Sequence, residues 1–205
     1  MTILVDDPKA VFIHVPKNAG TSISHWLRTN LDSHNVKRKH DSYEAIKIKY
    51  GEDLGFSFAV IRNPWDRIVS SFHYNKRVFA SGRYDNLEEK IKKTKNSNKK
   101  QKFAATKRLK DIIEQDSFNL FVKSKIYTPV NQLQVDFTQG VDQILYYENL
   151  DKDFQMIKDF FNIQKDLPYK NKSEHKIYRS YYNDKTKDII YKVFYRDIKK
   201  YNYEF

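Results

Sequence analysis

The sequence predicts an α/β fold, a single domain over residues 1–205 with a central parallel sheet flanked by helices. Three observations carry that expectation. Short apolar runs, AVFIHV (Ala10–Val15), FSFAVI (Phe56–Ile61) and QILYY (Gln143–Tyr147), alternate with longer stretches whose apolar residues recur at helical spacing. Strands buried on both faces read as continuous apolar runs, and their alternation with helices implies parallel crossovers. A length of 205 residues suits one domain with a full core, and no internal repeat breaks it up.

Each element has its local reason. Ala10–Val15 is a buried strand that stops at Pro16. PKNAG then turns into a helix over Thr21–Leu31, where Ile23, Trp26, Leu27 and Leu31 share one face. Ser33–Lys39 reads as a short second strand. Asp41 followed by Glu44 resembles a capping box, opening a helix through Ile46 and Ile48 to Tyr50, with Gly51 as its stop. After the Phe56–Ile61 strand, Pro64 suits the first turn of a helix whose apolar face holds Trp65, Ile68, Val69 and Phe72. Two or three helices follow through Val122, until Thr128-Pro129 breaks the pattern. Gln143–Tyr147 is a strand, Asn149–Phe161 an amphipathic helix, and Asp184 caps a last helix running through Ile198.

Composition removes several classes. With Cys 0 there is no disulfide framework, thiolate metal site or cysteine nucleophile. Aromatic residues at 15% argue against disorder, despite 31% charged residues and a mean hydropathy of −0.79. No targeting segment is visible, and no apolar run approaches the ~18 residues of a membrane span, so a cytoplasmic protein is expected. The net charge of +12 by itself suggests an anionic partner. Most of it sits in one stretch: Lys76–Lys110 holds 13 basic and 3 acidic residues, and the rest of the chain is close to neutral. That stretch reads as a Lys-rich helical insertion or lid, with a solvated helix pair as its simplest form.

Two motifs carry chemistry. In FIHVPKNAGTSI (Phe12–Ile23) a strand turns tightly into a helix N-terminus, where unsatisfied N–H groups and the helix dipole favour an anion. Gly20 admits close approach, Thr21 and Ser22 add hydroxyls, and Lys17 adds a mobile charge. The loop is P-loop-like but is not the Walker pattern. Its Lys precedes the glycine, and no GK[ST] follows to ligate Mg²⁺, so a phosphate site without a metal is implied. In FAVIRNPWDRIVSSFHY (Phe58–Tyr74), Arg62 leaves a strand end and Ser70 lies two turns into the next helix, a planar fork and a hydroxyl for a second phosphate. Both strand ends fall at the carboxyl edge of the sheet, where open α/β folds bind ligands. Such a pair suits a nucleotide with phosphates at two separate places.

PKNAGTS and RNPWDRIVSSF resemble the 5′-phosphosulfate loop and the 3′-phosphate motif of sulfotransferases that use 3′-phosphoadenosine 5′-phosphosulfate (PAPS). The likeness is greatest to the carbohydrate branch related to heparan and chondroitin enzymes and their bacterial relatives. KHDSYEAIKIKYG, YYENLDKDF, LPYKN (Leu167–Asn171) and the tail YNYEF resemble further landmarks of that branch, leaving Lys76–Lys110 the least matched part. The resemblance implies that Lys17, Asn18, Ala19, Gly20, Thr21 and Ser22 surround the 5′-phosphosulfate and that Arg62 and Ser70 hold the 3′-phosphate. His40 matches the general base, with Lys17 as a second catalytic group. PAP (adenosine 3′,5′-bisphosphate) is the implied product, no metal is required, and the acceptor is a hydroxyl on a carbohydrate. Where some relatives carry an adenine-stacking Trp, this chain has Ile23, with Trp26 one turn later. The Gly-rich C-terminal phosphate loop of cytosolic sulfotransferases is absent, with Asn171-Lys172-Ser173 in that region.

An imidazole titrates near ~6.5, which suits proton transfer at neutral pH. Without the resemblance, His40 is an ordinary surface residue at a helix start. His14 reads as a satisfied strand-end group, and His25, His34, His73 and His175 have no metal spacing. Arg67 reads as a brace for the second motif. Two rival classes compete: a P-loop nucleotide kinase, which needs a Mg²⁺ apparatus the sequence lacks, and a non-catalytic polyanion- or nucleic-acid-binding protein built on Lys76–Lys110. The reading adopted has no nucleic-acid partner and no integral membrane segment, and leaves the oligomeric state open.

Overall fold

The structure is a computed structural model that describes residues 1–36, 40–82, 84–94, 96–168 and 176–205. In chain order its first elements are β1 (Ile3–Val5), β2 (Ala10–Ile13), α1 (Gly20–Asn30), β3 (Ser33–Asn35), α2 (Tyr43–Tyr50), β4 (Phe56–Ile61) and α3 (Pro64–Ala80). There follow α4 (Leu87–Lys93), α5 (Ser97–Glu114), α6 (Phe118–Ser124), α7 (Gln134–Thr138), β5 (Gln143–Tyr146), α8 (Leu150–Phe160), α9 (Asp184–Val193) and α10 (Tyr195–Lys200). The expected α/β fold is present. The chain forms two compact units: Met1–Pro64 with Gln132–Lys172 and Arg196–Glu204, and Trp65–Asn131 with Ser173–Tyr195 and Phe205.

The first unit is built on a five-stranded sheet of order β3-β1-β2-β4-β5. Its parallel part is β2-β4-β5, with Phe12 opposite Phe58 and Val60 opposite Leu145. The sheet is nevertheless mixed, because β1 runs antiparallel to both β2 and β3. Three apolar residues at Ile3–Val5 are too short a run to announce a strand, yet pairing on both sides buries them. Successive strand residues point to opposite faces. Phe12, Phe58 and Val60 therefore meet Trp26 and Leu27 of α1 and Phe154 and Ile157 of α8. Val11, Ile13 and Ala59 face Tyr43 and Ile46 of α2 and Phe137 of α7.

Several boundaries differ from expectation by a residue, each because another side chain reaches the helix end. Ser42, not Asp41, caps α2: its Oγ accepts from the Ala45 N–H at 3.2 Å. Asn183, not Asp184, caps α9 in a capping box with Thr186, and the helix breaks at Phe194 before α10. Residues 37–39 of the second expected strand, the LPYKN and Asn171-Lys172-Ser173 segments from 169 onward, and His175 lie outside the described residues.

The second unit packs α3, α5, α6 and α9 around aromatic contacts, with the Phe72 ring edge-on to Phe118 and Phe121 against Tyr127. Ser71 and Asn75 of α3 both donate to the Thr128 carbonyl, at 3.0 and 2.7 Å. The Lys-rich stretch is helical, with α4 packed on α5. Part of its charge is locally paired: Lys107 with Glu88 and Asp111, and Lys110 with Asp85 and Glu114. No helix among the described residues is long and apolar enough to cross a membrane.

Candidate functional site

Because β2, β4 and β5 are parallel neighbours, the residues that follow them emerge at one edge of the sheet. After β2 comes the loop His14–Ala19. Lys17 (φ 71°) and Ala19 (φ 57°) both take the left-handed conformation, which side-chain-bearing residues adopt at a cost of about 1–2 kcal/mol each. The chain thereby turns sharply and starts α1 at Gly20. The N–H groups of Ser22 and Ile23 donate to the Ala19 carbonyl, at 2.9 and 3.2 Å. Those of Ala19, Gly20 and Thr21 precede any intrahelical partner and stand at the positive end of the dipole.

Gly20 has a steric reason for being glycine. A Cβ there would lie 2.1 Å from the His14 ring, so the imidazole packs directly over the Gly20 backbone. The His14 N–H donates to Thr2 Oγ1 at 3.2 Å, and the Met1 amino group meets His14 Nδ1. His40 completes the arrangement. Its Nδ1 lies 3.0 Å from the His14 carbonyl, and its ring stands edge-on to the His14 ring, centroids 4.8 Å apart. A carbonyl only accepts, so Nδ1 carries the proton and neutral His40 keeps a lone pair on Nε2.

Arg62 directly follows β4 and is 5% exposed. Its Cζ sits 3.9 Å above the Tyr147 ring, which leaves the guanidinium edge as the donor side, and Nη1 donates to the Lys17 carbonyl at 3.3 Å. Glu148, next along, accepts from the Asn63 N–H at 2.7 Å and from the Tyr203 hydroxyl at 3.2 Å. Desolvation pushes its carboxyl above the usual range, opposed by those hydrogen bonds and by the Arg62 charge.

The loop from Lys17 to Ser22, His40 and Arg62 are thus brought together within the first unit. Ser70 is buried on α3, two turns beyond Pro64, in the second unit. Arg67, on the same helix, is also buried. Ile23 and Trp26 are both core residues, and the Trp26 indole N–H donates to the Lys165 carbonyl, so the Trp26 ring is not presented at the surface.

Three residues at this edge escaped the sequence. Tyr147 follows β5, and its place at the carboxyl end of QILYY was the available signal. Gln134 and Asp197 had none. The Gln134 carboxamide binds Asn18 and the Arg62 backbone, and Asp197 accepts from the N–H groups of Gln134 and Val135 at 2.9 and 3.0 Å. Among the described residues, no group of three or more His, Asp or Glu could hold a metal ion.

Fold and edge together define an α/β protein with a tight strand–loop–helix turn at one edge of its sheet and an arginine at the adjacent strand end. The chain belongs to the Sulfotransferase family, whose model matches residues 1–204, and its chemistry is sulfuryl transfer to a hydroxyl-bearing acceptor. No curated protein and no solved structure matches it significantly.

Proposed function

We propose that this sulfotransferase takes the sulfuryl group from PAPS and delivers it to a carbohydrate hydroxyl by in-line displacement, with His40 as general base. The observation that carries the reading is the chain of contacts from His40 to His14 to Gly20, which ties the His40 imidazole, through the His14 ring, to the N-terminus of α1. The residues at this edge fit the nucleotide, for three N–H groups and Lys17 suit one anionic group and Arg62 a second. The family match spans both units, which supports treating residues 1–205 as one functional domain. The carbohydrate acceptor rests on the resemblance of the two motifs and the segment between them.

Bound at this edge, PAPS supplies an activated sulfuryl group with a bisphosphate leaving group. The N–H groups of Ala19, Gly20 and Thr21, the hydroxyls of Thr21 and Ser22 and the Lys17 ammonium would hold its 5′ end, while Arg62, and Ser70 by its place in the same motif, would hold the 3′-phosphate. Neutral His40 takes the acceptor hydroxyl's proton at Nε2 as the new O–S bond forms. Lys17 and the loop N–H groups stabilise the negative charge left on the departing phosphate oxygen as the old S–O bond breaks. Most of the catalysis is positioning and charge stabilisation, as in phosphoryl transfer.

Calorimetry with PAP and with ATP tests the nucleotide class. Tight binding of PAP alone supports the reading; preference for ATP, with activity lost in EDTA, replaces it with a kinase. His40→Ala and Lys17→Ala should each abolish transfer, and turnover retained by purified His40→Ala would remove His40 from the base role.

A further inference from the structure

We infer that Gln134 is a positioning residue that sets the register between the 5′-phosphosulfate loop and the 3′-phosphate arginine. The inference rests on the PAPS reading above and adds a residue that neither motif contains.

Gln134 is completely buried at the start of α7. Its Oε1 accepts from the Arg62 N–H at 2.9 Å and its Nε2 donates to the Arg62 carbonyl at 2.9 Å. A backbone N–H only donates and a carbonyl only accepts, so this pair fixes the orientation of the carboxamide. The side chain serves Arg62 as a neighbouring strand would, extending hydrogen bonding one residue beyond the end of β4. Oε1 accepts a second hydrogen bond, from Asn18 Nδ2 at 2.7 Å, and Asn18 Nδ2 also donates to the Val60 carbonyl at 2.8 Å. Both Asn18 partners are acceptors, so the loop needs an amide there, and the network has one arrangement.

The two elements joined by this carboxamide are the two that bind anions in the proposed function. One side takes the middle of the loop between the left-handed residues Lys17 and Ala19, and the other takes the peptide of the stacked arginine. From behind, the buried Asp197 carboxylate holds the N–H groups of Gln134 and Val135. A rigid spacer of this kind matters to a ligand that must engage both sites at once. A ligand that engages only one site can shift to suit it. Simultaneous engagement is gained or lost with the distance between sites.

The test compares three probes by calorimetry: adenosine 3′,5′-bisphosphate, adenosine 5′-monophosphate and adenosine 3′-monophosphate. In Gln134→Met and Gln134→Glu, shown folded by thermal denaturation, the bisphosphate should weaken about tenfold or more while each monophosphate changes by less than about threefold. Folded variants that bind the bisphosphate as the wild type does overturn the inference. So do variants in which both monophosphates weaken as much as the bisphosphate, since that is local damage rather than lost register. Should neither variant fold, Asp197→Asn, which takes one of the two carboxylate acceptors from the start of α7, loosens the same carboxamide from behind and must give the same selective loss. A wild-type protein that binds none of the three probes overturns the PAPS reading itself and takes this inference with it.

Discussion

At the scale of single residues, Gly20 and His14 are coupled more tightly than either motif suggests. Gly20→Ala should be destabilising by about 1–3 kcal/mol, the usual cost of overpacking, although alanine is the better helix former. Relief requires the His14 ring to move, and His40 is bonded to the His14 carbonyl, so kcat should fall with stability. The double variant Gly20→Ala/His14→Ala separates the two effects: melting temperature should recover, and kcat should not. Recovery of both would disconnect the Gly20 contact from the base. A local reading of sequence reached the loop and Arg62, because strand, turn and helix signals lie within a dozen residues of each other. It reached His40 only through resemblance. It missed Gln134 because that residue's partners lie 72 and 116 positions away, beyond any local pattern.

At the scale of elements, strands and helices predicted from continuous apolar runs and 3.6-residue periodicity are present, and the differences concern ends and edges. Ser42 and Asn183 cap where acidic neighbours were expected, since a short side chain in extended conformation reaches the first-turn N–H groups. β1 was hidden by its length, and with it the antiparallel part of the sheet. The α4–α5 hairpin answers the question raised by the net charge. Lys107 and Lys110 are held by carboxylates, whereas Lys99, Lys100 and Lys102 are exposed on the first two turns of α5. Reversing the charge of these three should raise the acceptor KM severalfold, if an anionic glycan is the acceptor, and leave PAP affinity unchanged. Equal weakening of PAP in binding assays would remove the hairpin from any role on the acceptor side.

At the scale of the whole molecule, the first unit is closed by residues distant in sequence. Asp197 caps α7, Tyr201 bonds Thr138, Asn63 Nδ2 donates to the Glu204 carbonyl at 2.8 Å, and Tyr203 meets Glu148. Asp197→Ala would strand two N–H groups that are now bonded, at about 1–3 kcal/mol for each buried one, and urea denaturation should register the loss. Bisphosphate binding should weaken too, through Gln134. The same feature sets an order of events. Asn18 acquires its Gln134 partner only once α7 is fixed, and α7 is fixed by a carboxylate made well after both motifs, so the nascent chain carries both motifs long before it carries a finished site. A 1–195 fragment should then bind PAP poorly despite having every motif residue, and a synthetic 196–205 peptide added in trans should restore part of that binding.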